Sequence, residues 1–373
     1  MTPDTARLAD IVATIHTLVE CESPSDDHAA VAASANLVAE VGESLLGVAP
    51  ERIVLDGVNH LRWSFGATTR VLLVAHHDTV WPLGTLERLP FAVSGGVLTG
   101  PGSFDMKTGL AMAMHAIAAL EDRDGVTLIV TGDEELGSPT SRGLIEESAR
   151  GARAAFVLEA AADGGALKLE RKGVSLYELV VHGRAAHAGL EPEKGVNASV
   201  ELAHQLLAIA ALGNAELGTT VTPTAAISGT TSNTVPARAS CKVDGRARSG
   251  AEQRRVDEAM RALTPVLPGA ELAVIGGVNR PVLELESSAD LFARAQTIAT
   301  HLGLAALTGV AVGGASDGNF TAGIGVPTLD GLGAVGGGAH ADTEHVLVEE
   351  IEPRTRLLGA LMADVLTESG AGE

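Results

Sequence analysis

The sequence predicts an α/β protein in two parts. A mostly parallel sheet with helices on both faces is expected from residues 1–172 and 283–373, and an α+β unit of four strands and two helices is inserted at 173–282. Three observations lead there. Short unbroken apolar runs at 71–74, 126–130, 155–158 and 326–329 alternate with longer helical segments, as strands buried on both faces do. Near residue 172 the pattern changes to strands that alternate apolar and polar positions. Near residue 283 the first pattern returns.

The elements follow in order. Residues 5–20 carry Leu8, Ile11, Val12, Ile15, Leu18 and Val19 at helical spacing, and 28–46 reads as a second helix. Between the first two apolar runs, 106–120 is apolar on most faces and predicts a buried helix. In the insert, 175–183 alternates as a half-exposed strand, 196–212 is helical, 219–227 and 237–247 are strands, 253–263 is a helix, and 270–278 is the last strand. A strand at 307–312 and a final helix at 351–366 complete the first part, and the tail 368–373 reads as frayed. There is no internal repeat and no low-complexity linker.

Composition excludes several classes. With 47 acidic against 26 basic side chains the formal net charge is −21, which argues against nucleic acid or an anionic membrane as partner. No apolar run reaches the ~18 residues of a membrane span, and the start shows no basic segment followed by an apolar one, so a cytoplasmic location is expected. Cys21 and Cys241 cannot make a disulfide framework and read as free thiols in a reducing compartment.

Chemistry gathers where the strand runs end. His76, Glu134, Glu135 and Glu159 each fall just after one, and ligands of such sheets bind outside the carboxyl ends of the strands. Asp105 lies in a Gly/Pro-rich turn, where a carboxylate can bridge two cations, and His340 comes from a late loop. Imidazoles and carboxylates are costly to gather without a cation, so the set points to metal. An extended backbone turns His77 away from His76, which leaves the metal to His76, and Asp78 is placed to hold the other imidazole N–H. Glu134 and Glu135 point in opposed directions, one toward metal and one left as a base. Asp133 reads as a turn residue, His115 as a core histidine, and His60, His182, His204 and His301 as packing or surface residues; His345 stays open as a substitute for His340. Two nitrogens and three carboxylates suit zinc. Two zinc ions about 3.5 Å apart would polarise a carbonyl and acidify a bridging water. Glu134 would then carry that water's proton to a leaving nitrogen. Metal-assisted amide hydrolysis is the expected reaction.

His76-x-Asp78, the turn from Gly100 to Lys107 around Asp105, Asp133-Glu134-Glu135-x-Gly137 and the late His340 occur in the order and approximate spacing of a known family. Over most of its length the chain resembles the zinc exopeptidases of carboxypeptidase G, aminoacylase and succinyl-diaminopimelate desuccinylase. The resemblance implies His76, Asp105 and Glu159 around one Zn2+, Asp105, Glu135 and His340 around the other, with Co2+ or Mn2+ as substitutes in vitro. It also implies Glu134 as base, a cis Asp105–Met106 peptide and an inserted lid that dimerises. Glu at 159 is more like the carboxypeptidase and deacylase branches than the aminopeptidases. The segments Thr79–Pro82 and Gly313–Asp317 look most like carboxypeptidase G-type glutamate carboxypeptidases. Thr108 departs from the pattern, since relatives often carry Gly there, with no loss of chemistry expected.

In the lid, His187 matches a histidine that stabilises the oxyanion, in some relatives from the partner subunit, and Asn233 resembles a substrate-binding Asn. Arg246 and Arg280 are candidates to clasp a substrate carboxylate, as guanidinium does bidentately, and the 313–318 loop, with Gly314 and Ser316, could offer backbone N–H groups to it. The expected partners are a small or short-peptide substrate with a free carboxylate and a second copy of the chain, without nucleic acid or membrane. An N-acyl-amino-acid deacylase of the same family is the alternative. A serine hydrolase is a more distant one, because Gly314-Ala315-Ser316-Asp317-Gly318 spells a nucleophile elbow with Asp330 and His340 following in order. A non-catalytic binding module is the third reading. Gly331-x-Gly333-x-x-Gly336 spells a dinucleotide fingerprint, but no helix is expected at its third glycine.

Overall fold

The computed structural model describes residues 3–367; the tail 368–373 lies outside the described residues. The chain forms two compact units, one of residues 1–170, 283–312 and 316–373, the other of residues 171–282 with 313–315. Their boundaries lie within a few residues of the expected 172/173 and 282/283. The exception is Gly313–Ala315, which joins the second unit, where Arg171 Nη1 donates to the Gly314 carbonyl at 3.2 Å.

The first unit is built on a six-stranded sheet in the order Glu51–Leu55, Val58–Phe65, Val126–Thr131, Val71–His76, Ala154–Val157, Thr328–Leu329. The four strands from Val126–Thr131 onward are parallel, and the first two add an antiparallel edge. Every residue of Val71–His76, Val126–Thr131 and Ala154–Val157 is buried, which is why they read as unbroken apolar runs. Side-chain alternation then divides each run between two cores. Val71, Leu73, Ala75, Leu128 and Val130 face one core with helices Pro3–Val19, His28–Leu46, Thr108–Ala118 and Val348–Thr367. Leu72, Val74, Ile129, Ala155 and Val157 face another with Leu144, Ile145 and Phe320.

Two expectations change. The edge strands Glu51–Leu55 and Val58–Phe65 were not foreseen, because His60, Arg62 and Ser64 interrupt the apolar pattern. The buried helix begins at Thr108, not 106, because residues 103–107 form a separate turn containing a cis Asp105–Met106 peptide. That helix approaches the sheet closely: a Cβ on Gly109 would lie 2.0 Å from the Leu158 carbonyl oxygen. Helix His28–Leu46 has the length and apolarity of a membrane span, but here Val31, Val38 and Leu46 are core residues; Asp27 caps its start through the Ala29 and Ala30 N–H groups.

The second unit holds an antiparallel four-stranded sheet in the order Thr220–Ser228, Arg238–Ala247, Gly173–His182, Glu271–Arg280. Helices Ala198–Ala210 and Gly250–Arg261 cover one face, packing Leu202, Ile209, Val256 and Met260 onto Leu179, Val181, Cys241 and Val243.

Candidate metal centre

The parallel strands set out the first unit's polar cluster. His76 is the last residue of its strand, Glu134 and Glu135 open a short 3-10 turn after Val126–Thr131, and Glu159 stands two residues past Ala154–Val157. Asp105 and His340 reach the same place from loops. His76 Nε2 lies 3.4 Å from Asp105 Oδ1 and 3.5 Å from Glu159 Oε1. His340 Nε2 lies 3.3 Å from Asp105 Oδ2 and 3.2 Å from Glu135 Oε2. Asp105 therefore belongs to two groups of three, each with its ligand atoms within 4.8 Å of one another.

These distances fit cations better than hydrogen bonds. Charge-assisted N–H···O contacts run about 2.7–2.9 Å. Donors arranged tetrahedrally at ~2.0–2.1 Å from zinc are instead about 3.4 Å apart. His76 Nε2 and Glu135 Oε1 are buried without a hydrogen-bond partner among the described residues, as atoms that coordinate a cation would be. The protein's own charges show the same demand. Burial works against a charged His76, but Asp105, Asp78 and Glu159 raise its pKa well above the usual imidazole range. Asp105 and Glu135 lift His340 to about 10. Burial disfavours the charged carboxylate of Asp105, yet the two imidazoles draw its pKa far below the ordinary range. A divalent ion supplies the positive charge that protons otherwise provide.

The surrounding residues set these groups in place. Asp78 is fully buried, accepts Ser25 Oγ–H at 2.6 Å, and accepts the N–H groups of Glu134 and Glu135 at 3.2 Å each. His76 Nδ1 lies 3.0 Å from the Asp78 carbonyl oxygen and 3.4 Å from its carboxylate. The carboxylate thus positions the glutamate pair as well as the imidazole, a role the His-x-Asp spacing did not disclose. His77 points away, with Nδ1 by Ser34 Oγ and Nε2 by the Asn59 carbonyl. Asp133 binds the Thr140 N–H and hydroxyl at 2.7 Å each, as a turn residue does. His115 bonds Thr14 Oγ1, and His345 Nδ1 lies by the Thr343 carbonyl, so His340 is the imidazole of the cluster.

One residue was missed altogether. Glu344, 3% exposed, accepts the N–H groups of Gly102, Phe104 and Asp105 at 2.9, 2.8 and 3.1 Å and the Trp81 indole N–H at 2.7 Å. Its position four residues after His340 was the only available signal.

Comparison with known proteins gives the family. The model of peptidase family M20/M25/M40 matches residues 72–364. The chain belongs to that family. Carboxypeptidase G2 of Pseudomonas sp. (strain RS-16) is 31% identical over 383 residues, covering 97% of this chain and 90% of that protein. Succinyl-diaminopimelate desuccinylase of Azoarcus sp. (strain BH72) is 29% identical, covering 86% and 90%. A putative aminohydrolase from methicillin resistant Staphylococcus aureus shares the fold with a TM-score of 0.74 at 14% identity, over 98% of each chain.

The remaining candidate residues of this M20 chain have these surroundings. In the second unit, His187 pairs with Thr234 across a two-stranded ladder, and its Nδ1 accepts the N–H groups of Gly189 and Leu190 at 3.1 Å each. Nδ1 is thereby the acceptor nitrogen and Nε2 the site for the proton. The Asn233 carbonyl accepts the Ala188 N–H beside it. Arg246 corrects an expectation of a free fork: its Nε and Nη2 bond Asp244 at 2.8 and 2.9 Å. Arg280 is buried near the end of its strand. Ser316 is a second correction. Its N–H donates to Asn319 Oδ1 and its hydroxyl to Asp330 Oδ2 at 2.6 Å, so neither is left for substrate. The serine-hydrolase reading goes with it, because Asp330 meets Ser316 directly while His340 stands with Asp105 and Glu135.

Proposed function

We propose that this M20 enzyme is a dinuclear zinc hydrolase that cleaves the amide bond of N-acyl amino acids or short peptides and releases a C-terminal amino acid, with glutamate favoured. The observation that carries the reading is Asp105, whose two oxygens face two separate imidazoles, His76 and His340. His76 and Glu159 would complete one site and His340 and Glu135 the other; ions held there would polarise the scissile carbonyl and acidify water. Glu134, held by Asp78 through its backbone, takes the proton from the attacking water and passes it to the leaving nitrogen. The His187 Nε2–H is a donor suited to a developing oxyanion. Asn233, Arg280 and the backbone of Gly314 would bind substrate, and Arg246 would contribute only by giving up Asp244. The unit carrying them would act as a lid and join two copies of the chain. Free Cys21 and Cys241 fit a reducing, cytoplasmic setting.

The glutamate preference rests on the likeness to carboxypeptidase G2, and the desuccinylase relative supports deacylation of N-acyl amino acids as the second reading. A hydrolysis screen with added zinc decides between them. C-terminal-glutamate dipeptides and acylglutamates should be turned over fastest. Preference for N-succinyl amines would favour the deacylase, and no hydrolysis of either class would discard both.

A further inference from the structure

Glu344 ties together two loops that meet nowhere in sequence. Its carboxylate is buried and takes four N–H donors, three from the backbone of Gly102, Phe104 and Asp105 and one from the Trp81 indole. Asp105 is the carboxylate shared by both candidate cation groups, and His340 stands four residues before Glu344 on the other loop. A second tie runs in parallel: Arg88 pairs with Asp342 at 2.5 Å, and its guanidinium lies 6.0 Å over the Trp81 ring. His76 and Glu159 stand differently. They project from the ends of Val71–His76 and Ala154–Val157, adjacent parallel strands that owe nothing to Glu344.

We infer that Glu344 is a positioning residue for one cation site in preference to the other, fixing Asp105 and His340 relative to each other so that the Asp105–Glu135–His340 group is preformed. The inference rests on the two-metal reading. Four donors converging on one carboxylate leave it little freedom, and a buried carboxylate satisfied by several N–H groups is a rigid anchor. An amide at the same place keeps one oxygen acceptor and turns an NH2 donor toward N–H groups that also donate. The loss should fall mainly on the site that has two ligands, Asp105 and His340, on the tied loops, rather than on the one that has Asp105 alone. Outer partners of metal ligands typically change affinity by about 10–100-fold when replaced.

The test measures zinc affinity directly, in a competition titration of metal-free protein against a chromophoric chelator. His340→Ala leaves one ion, held by the His76 group, and His76→Ala leaves one ion, held by the His340 group. Adding Glu344→Gln to the His76→Ala protein should weaken its remaining ion by ~10-fold or more. Adding it to the His340→Ala protein should change affinity by less than about threefold, because of that site's ligands only Asp105 touches the tie, while His76 and Glu159 are set by strand ends. Equal losses in both backgrounds, or no loss in either, would overturn the inference. Trp81→Phe removes a single donor and keeps the carboxylate; it should shift the same site in the same direction by less, and it decides the matter if Glu344→Gln does not fold. Wild-type protein that takes up fewer than two ions, with histidine variants that do not lower the number, would instead refute the two-metal reading itself.

Discussion

Glu134 donates its backbone N–H to Asp78 Oδ1 at 3.2 Å, so the main chain holds the base proposed for the reaction in place. An amide at this position keeps the backbone tie to Asp78 and removes the proton acceptor. Glu134→Gln is expected to keep the metals and the fold while kcat falls by at least ~10²-fold, the scale of a general base. Steady-state kinetics beside metal analysis checks this, and full turnover would remove Glu134 from the role.

Metal uptake should depend on pH with a definite sign. Asp105 and Glu135 hold a proton on His340 up to about 10, and Asp105, Asp78 and Glu159 raise His76 despite its burial. A cation has to displace those protons, so affinity rises with pH across the neutral range, by roughly tenfold per unit for each proton released. Zinc titrations one pH unit apart, with proton release followed in weakly buffered solution, measure it. In the metal-free protein the raised His340 pKa contributes stability below the ordinary value of 6.5, and that contribution is lost as pH rises through about 10. A chelator should abolish activity and added zinc restore it; activity indifferent to chelation would contradict the metal centre.

His77 behaves in the opposite sense. Burial depresses it from 6.5 to about 4, so the unfolded chain takes up a proton first as pH falls. Stability from this group is intact above about 6.5 and is lost progressively toward 4. Denaturant unfolding across that window should show a shallower pH slope in His77→Gln, whatever its absolute stability. An unchanged slope would rule out His77 as a source of acid lability.

Gly109→Ala tests the packing beneath the metal centre. The added methyl would meet the Leu158 carbonyl at 2.0 Å, next to Glu159. Overpacking of this kind costs typically about 1–3 kcal/mol. Thermal unfolding should show a clear loss of stability, and a neutral result would mean that helix Thr108–Ala118 can shift away from the sheet.

The strand-borne residues of the candidate centre were legible in the sequence because three of the four apolar runs end at or just before one of them. His76 closes Val71–His76, and Glu134 and Glu159 follow two others, so the parallel sheet announces its own rim. Residues whose work is hydrogen bonding to main chain left no such trace. Glu344 binds three backbone N–H groups, and a backbone donor has no residue type to read. The same blindness hid the partners of Ser316 and Arg246, each engaged by a polar residue a short way along the chain. The antiparallel edge was missed for another reason: Glu51–Leu55 is mostly exposed and looks like loop.

The hydrogen bond from Trp81 to Glu344 spans 263 positions of the chain. During synthesis His76, Asp105, Glu134, Glu135 and Glu159 are made long before His340 and Glu344. The Asp105–Glu135–His340 group is thus among the last features the polypeptide can complete.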